Sequence, residues 1–344
     1  MEERMARNGS PSELPVLLLY NIDPRWEEPA RDETLQETER LGNAMRELGH
    51  PVTSVPLMDK NLEGVLTQYN PDEYVVFNWC EELPGVPDSE VKVAHTLEEL
   101  NFTYTGATAD VLALCQDKQR VKDLLARVDV PVPTGCIVRA PSEISGWTRF
   151  PAIVKAANEH CSAGLTSASI VSNPAELAAR VEWVLQRHRQ PAMIEDFIDG
   201  REFHVALFGN TRITMLPPAE MDFGDFHDYR DRLCTYDAKF KPDSEHYMKI
   251  RTLLPAPLSE VEMAALESVT KAAYRAVGCR DYARIDLRLR DGVFYVLDVN
   301  ANADISADAS IACAAEQKGW SYGQMGNRLV RLAARRHALL AGAA

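Results

Sequence analysis

Residues 282–300 alternate in character along two successive segments, and this constrains the fold more than any other stretch of the chain. Positions 285, 287, 289, 293, 295, 297 and 299 are Ile, Leu, Leu, Val, Tyr, Leu and Val, whereas 284, 286, 288, 298 and 300 are Arg, Asp, Arg, Asp and Asn. Phe294 and Val296 are apolar exceptions among the even positions. A period of two marks strands with one face on a core. If all odd residues share that face across a hairpin, the connecting loop has an odd length. Arg290-Asp291-Gly292 supplies three residues, with Gly292 at the left-handed bulge position, whereas a two-residue Asp-Gly turn would set Asp286 and Asp298 on opposite faces. The expected polar face then carries Arg284, Asp286, Asp298 and Asn300. Two carboxylates and an amide oxygen suit a hard cation such as Mg²⁺. The ordinary alternative is a solvated outer face. Against it, the metal-type residues gather at one end of the pair, and the following ANADISADASIA (301–312) is small and polar, not strand-like.

Upstream, PVLLLY (15–20), PVTSVPL (51–57) and EYVVFNW (73–79) read as strands. Helical stretches near 33–48, 59–69 and 88–100 separate or follow them, the βαβαβ signature of a parallel sheet. One further helix is expected over Asp110 to Arg127, ending at VDVPVP (128–133), where closely spaced prolines break it. GCIV (135–138), FPAIVKA (150–156), GLTSASIV (164–171), a helix opened by Ser172-Asn173-Pro174, and AMIEDFI (192–198) suggest a small α+β unit. EFHVALFG (202–209), a polar and aromatic loop near 220–240 and a helix from Ser259 to Val277 precede the strand pair. The expected division is a flexible start (1–13), an N-terminal α/β substrate domain (14–128), a central subdomain (129–203) and a C-terminal metal and catalytic domain (204–344).

Composition excludes several classes. In 344 residues, 51 acidic side chains face 37 Lys and Arg, a net charge of −14. This balance repels phosphate backbones and anionic bilayers, so neither nucleic acid nor membrane is an expected partner. The apolar run Val16 to Tyr20 is far short of the ~20 residues that span a bilayer. The opening MEERMARNGSPSE has no apolar core of a secretion signal. Seven scattered cysteines, an odd number without CxxC, fit a reduced cytoplasmic protein rather than a disulfide or zinc framework.

Several motifs, taken in order, resemble the ATP-grasp ligases, specifically the D-alanyl-D-alanine ligase branch, from about residue 15 to about 335. They are Phe77-Asn78 with Glu81, YTG (104–106) before Asp117-Lys118, PAIVKAANEHCSAG (151–164), MIEDFIDGREF (193–203), TYDAKF (235–240), and Arg284-Ile-Asp286 with Leu297-Asp298-Val-Asn300. The resemblance implies an α/β ATP-grasp fold: an N-terminal parallel α/β domain, a small central α+β domain and a C-terminal α+β domain on an antiparallel sheet. It implies ATP and Mg²⁺ (or Mn²⁺) as cofactors, amino-acid-like carboxylate and amine substrates, and a homodimer. Lys118, Lys155 and Ser162 would meet the phosphates, and Glu195, Asp196, Phe197 and Ile198 the adenine. Glu202 would accept from the ribose, and Lys239 would reach the γ-phosphate. Asp286, Asp298 and Asn300 would hold the metal, with Arg284 on the transferred phosphoryl group and the oxyanion.

The chain also departs from that branch. The Pro-Gly pair expected shortly after the metal asparagine is absent, and Asn302, Asp304, Ser306 and Asp308 occupy this stretch as candidate substrate residues. Asp32 or Glu33 stands near the place of an acid that orients the first amino acid. The changes concentrate where substrates would sit. An ATP-dependent, ADP-forming ligase making an amide from substrates other than two D-alanines, in a specialised pathway, is therefore expected. A D-Ala-D-Ala ligase of cell-wall synthesis and a non-catalytic ATP-binding regulator are the alternatives.

Overall fold

The computed structural model describes residues 13–144, 146–157 and 164–344, apart from the side chains of Lys239 and Phe240. The expected flexible start therefore lies, except for Glu13, outside the described residues. Two compact units are present. The first comprises the chain up to Asp110 together with Arg280–Tyr282 and Asp304–Ala344. The second comprises Val111–Cys279 and Ala283–Ala303.

The first unit is built on four parallel strands, β1 (Val16–Asn21), β2 (Val52–Leu57), β3 (Val75–Trp79) and β4 (Thr103–Tyr104), in the order β2-β1-β3-β4. Every residue of β1 is buried. This explains why VLLLY is continuously apolar: a central parallel strand is covered on both faces. Helices α1 (Glu28–Glu47), α2 (Leu62–Leu66) and α3 (Glu90–Glu99) make the crossovers. α1 starts five residues before the expected Glu33, because Pro29 in its first turn needs no N–H partner there.

The second unit opens with α4 (Ala109–Cys115) and α5 (Lys118–Ala126), where one continuous helix was expected. The break has a local cause: the Asp117 carboxylate accepts from Arg120 N at 3.1 Å and caps a new helix. Next comes an antiparallel sheet of β5 (Gly135–Val138), β6 (Ala152–Ala156), β7 (Ile170–Val171) and β8 (Ala192–Asp196), ordered β5-β8-β6-β7. α6 (Pro174–His188), capped by Asn173, packs on β6. A second antiparallel sheet runs β12-β11-β9-β13-β14, with β10 beside β9. Its strands are β9 (Arg201–Phe208), β10 (Thr214–Met215), β11 (Ala219–Asp222), β12 (Arg251–Leu253), β13 (Tyr282–Arg290) and β14 (Val293–Asn300). Between β11 and β12 lie the short helices α7 (Tyr236–Phe240) and α8 (Glu245–Lys249), and α9 (Glu260–Val277) follows β12, capped by Ser259. The final helices, α10 (Ser310–Gln317) and α11 (Tyr322–Ala334), belong to the first unit, where α11 packs on α1 and β3.

The β13–β14 hairpin corrects the expected loop. Arg290 pairs with Val293, so the connection has two residues, Asp291 and Gly292, both at positive φ (54° and 76°). That is the type I′ geometry of tight hairpins. From the turn, Leu289 faces Phe294 and Leu287 faces Val296; the register then shifts between Asp286 and Leu287, and Asp286 pairs with Asp298 and Arg284 with Asn300. Leu297 is the extra residue of a β-bulge. The bulge compensates for the even loop, so the four polar residues share a face as expected, by a different mechanism. It also accounts for the exceptions: Phe294 and Val296 are 2% and 1% exposed, whereas Val293 is exposed.

A left-handed Gly292 is needed at this turn, while Asp291 tolerates the conformation through its short polar side chain. Gly292→Ala is expected to lower stability by about 1 kcal/mol, and Asp291→Asn to be neutral or slightly stabilising. Urea unfolding followed by circular dichroism measures both. A three-residue loop would instead place Asp291 at negative φ and give Asp291→Asn no advantage.

Candidate functional site

Within the second unit a pocket is lined from both antiparallel sheets and from the start of α5. Capping by Asp117 makes Lys118 the first residue of α5, and its ammonium reaches Asp298 Oδ2 at 2.7 Å while lining this pocket. Burial would depress the Lys118 pKa, but the Asp298 charge outweighs it and holds the ammonium raised.

One helical turn further, Lys122 is buried beneath the pocket. Its Nζ lies 2.5 Å from Glu195 Oε1, and Lys155 Nζ lies 2.7 Å from Glu195 Oε2. The three groups meet as ion pairs without aligned hydrogen bonds. Burial pushes the Glu195 pKa up, but Lys122 and Lys155 outweigh it and bring it from 4.5 to about 2. For Lys122, burial dominates over Glu195 and lowers its pKa. Lys155 is therefore not a solvated strand end: it sits on β6 opposite Met193 and lines the pocket.

Glu202 stands on β9 because Gly200 lets the chain pass close to β13, where an added Cβ would lie 2.0 Å from Leu289 O. Arg288 is buried; it donates to Glu202 Oε2 at 2.8 Å and to Ile198 O at 3.0 Å. Burial works against the Glu202 carboxylate, but Arg288 and His204 outweigh it and hold the pKa well below the usual range. His204 Nε2 lies 3.4 Å from Glu202 Oε1.

On the hairpin, Arg284 donates twice to Asp286, at 2.7 and 2.9 Å, and Asn300 Nδ2 donates to Asp286 Oδ2 at 3.0 Å. Burial raises the Asp286 pKa, yet the charges of Arg284 and His204 leave it lowered, so the group is an anion. Asp286, Asp298 and Asn300 form an all-oxygen donor set of the kind hard divalent cations take. A divalent cation on this set would offset the charge of the lining toward an anionic ligand, because five carboxylates, Glu195, Asp196, Glu202, Asp286 and Asp298, stand against Lys118, Lys155 and Arg288. The set fits Mg²⁺ or Mn²⁺.

Of the sequence-predicted residues, Lys118, Lys155, Glu195, Asp196, Phe197, Ile198, Glu202, Asp286 and Asp298 all line this one pocket. Arg284 and Asn300 adjoin it through Asp286. Phe197 N is bonded to Pro151 O at 3.0 Å, and Phe197 O accepts from Arg290 at 3.2 Å. Ser162 and the Lys239 side chain lie outside the described residues. Asn302, in the second unit, is half-buried. In the first unit Asp304 accepts from Ser306 N and Oγ at 2.9 and 2.7 Å, which closes a turn, and Asp308 is exposed. Asp32 and Glu33 are exposed on α1; the α1 acid that meets this loop is Glu37, one turn later, bonded to Ala307 N at 3.1 Å. Lys122, His204, Cys234 and Arg288 were missed. Lys122 carries a readable signal, being four residues from Lys118 on one helix face, whereas Cys234 comes from a loop whose path no periodicity encodes.

The D-ala D-ala ligase C-terminus model matches residues 137–331, more than half of the chain. The uncharacterized protein y4sG of Sinorhizobium fredii is 33% identical over 304 residues, 86% of each chain. D-alanine–D-alanine ligase of Pseudothermotoga lettingae is 27% identical over 302 residues, 88% of this chain and 95% of its own. The crystal structure of D-alanine–D-alanine ligase from Bacillus anthracis complexed with ATP matches with a TM-score of 0.70 over 94% of this chain and 98% of that one, at 17% identity. At that identity the likeness carries the fold, which is the expected ATP-grasp architecture.

The buried ion triad generates a pH prediction. A carboxyl whose pKa falls on folding contributes stability above its unfolded pKa and loses it as pH drops through the folded value. For Glu195 that window runs from 4.5 down to about 2, so the thermal midpoint should fall as pH is lowered across it. Lys122→Met should destabilise by about 3 kcal/mol at neutral pH, because it strips one partner from a buried charge. Its midpoint should depend less on pH between 4.5 and about 2, because losing Lys122 brings the folded Glu195 pKa back toward the unfolded value. Scanning calorimetry from pH 7 to pH 3 would refute this by giving superimposable pH profiles for the two proteins.

Proposed function

The chain belongs to the D-alanine–D-alanine ligase family, and from that premise we propose that it is an ATP-dependent, ADP-forming ligase joining an amino-acid-like carboxylate to an amine. The observation that carries this is the cross-strand pairing of Asp286 with Asp298 in a pocket that also holds Lys118, Lys155 and Glu202. A regulator that only bound nucleotide would have no use for an acidic pair beside cations at this point.

Forming an amide from a carboxylate requires one of its oxygens to become a leaving group. The carboxylate oxygen attacks the γ-phosphorus of ATP, the bond to the β–γ bridging oxygen breaks, and ADP departs. The amine then attacks the acyl carbon, phosphate leaves, and the ammonium proton of the adduct is released. Positioning and charge neutralisation are the protein's share of such chemistry. In this reading Lys118 and Lys155 bind phosphate oxygens, with Ser162 beside them. Residues 195–198 line the adenine, and Glu202, oriented by Arg288, accepts from the ribose hydroxyls. Lys239 reaches the γ-phosphate. Asp286, Asp298 and Asn300 would hold Mg²⁺ or Mn²⁺, which supplies charge neutralisation at the phosphates when bound. Arg284, freed from one of its bonds to Asp286, stabilises the transferred phosphoryl group and then the tetrahedral oxyanion.

The amine side is the divergent part. Asn302, Asp304, Ser306 and Asp308 stand where the family carries a Pro-Gly-containing stretch, which supports substrates other than two D-alanines and a specialised product, with Asp32 and Glu33 as further candidates toward the first amino acid.

Purified protein with ATP, Mg²⁺ and an amino-acid panel should release ADP only with particular substrate pairs. Vigorous release with D-alanine alone would favour a cell-wall ligase instead, and no substrate-dependent release despite normal ATP binding would sink the ligase reading. Asp298→Asn should reduce turnover by at least about 100-fold, the scale of losing one electrostatic stabiliser, with near-normal activity defeating the metal assignment.

A further inference from the structure

Glu202, His204 and Cys234 converge at the edge of the nucleotide pocket. Their candidate ligand atoms, one oxygen, one nitrogen and one sulfur, all lie within 4.8 Å of one another. All three residues line the pocket. None of the ligation chemistry proposed above uses His204 or Cys234. We propose that they form, with Glu202, a binding site for Zn²⁺ or a similar borderline-soft divalent ion, and that this ion and the nucleotide exclude each other.

The geometry follows from the strand. Glu202 and His204 are two apart on β9, so they project from the same face, while Phe203 between them is fully buried in the core. Arg288 occupies Glu202 Oε2, which leaves Oε1 turned to His204 Nε2 at 3.4 Å. Two ligands about 2.1 Å from a tetrahedral zinc stand about 3.4 Å apart. The pair is thus already spaced for a shared ion, and Cys234 needs only a small side-chain adjustment to complete three protein ligands. Carboxylate, imidazole and thiolate form a set that zinc prefers over magnesium. Arg288 acts as the outer partner that orients the ligating carboxylate. The fourth coordination position faces the pocket. On binding, the Cys234 thiol proton passes to solvent, so two anionic ligands neutralise the ion.

Exclusion of nucleotide rests on the reading of Glu202 as the ribose acceptor: the same Oε1 cannot serve both. The site would thus make a nucleotide-free enzyme sensitive to zinc.

The test uses the full chain, reduced and without a metal-affinity tag, titrated with Co²⁺ as an optical stand-in for zinc. One equivalent should bring up a thiolate-to-cobalt charge-transfer band and the intense visible bands of four-coordinate cobalt, and Zn²⁺ should bleach both. Cys234→Ser should remove the charge-transfer band, and His204→Gln should weaken binding by at least 10-fold, each with an unchanged circular dichroism spectrum. Cys313→Ser, on α10 and not among the pocket's lining residues, should leave the band intact. Absence of a thiolate band, or its survival in Cys234→Ser, overturns the site. Saturating MgATP should abolish the bands, whereas magnesium tripolyphosphate, which chelates but has no ribose, should spare them. Bands that persist while calorimetry shows ATP bound overturn the exclusion. Failure of ATP to bind at all overturns the nucleotide reading above and leaves the metal assignment to its own result.

Discussion

One extra residue in β14 governs the pocket. Without the bulge at Leu297, the two-residue turn at Asp291-Gly292 would continue its register to the far end of the hairpin, and Asp298 would face away from Asp286. With it, both requirements are met on one pair of strands. Near the turn, Leu287, Leu289, Phe294 and Val296 close the core. Beyond the bulge, Arg284, Asp286, Asp298 and Asn300 share a polar face. The rest of the pocket is assembled around that face: Lys118 through Asp298, and Asn300 and Arg284 through Asp286.

Buried charge is the second organising feature. Glu195 is held between Lys122 and Lys155, and Glu202 between Arg288 and His204. Such groups are costly to desolvate, and removing one partner is far more damaging than the net worth of the pair. Their arrangement ties elements together: α5 to β8, β6 to β8, and β9 to β13. This also explains how a chain of net charge −14 can present ammonium and guanidinium groups in a cleft. The cations are anchored by carboxylates, so the lining is not positive overall. In the proposed reading, a divalent ion held by the hairpin oxygens would complete charge neutralisation for a triphosphate.

The readable parts of the site were those with short-range signatures. Asp286 and Asp298 follow from alternation, whereas Lys155 and Glu202 were legible only through the resemblance of PAIVKAANEHCSAG and MIEDFIDGREF to family motifs. Lys118 was legible as a residue but not in its setting, because the helix break depends on the Asp117 side chain competing for a backbone N–H. The hairpin loop was misread because parity allowed two solutions, an odd loop or an even loop with a bulge; Phe294 and Val296 as apolar exceptions were the trace of the second. His204 and Cys234 were passed over because no spacing relates them: one lies on β9, the other in a loop thirty residues on. Asp32 and Glu33 rested on the resemblance to a family acid that orients the first amino acid; both are exposed on α1, where the acid bonded to Ala307 N is Glu37, one helical turn further.

By itself, the sequence determined the elements whose signals are local: the continuous apolar run of a doubly covered strand, the polar and apolar faces of β13, and the capped starts of α6 and α9. These depend on side-chain period and on hydrogen bonds within a few residues. The tertiary structure alone decided which charges meet. The pairing of Lys122 with Glu195, of Arg288 with Glu202, and the approach of Cys234 to His204 join residues tens of positions apart. Their distances are set by how two sheets and a helix pack, and long-range electrostatic partners leave no periodic mark on the chain.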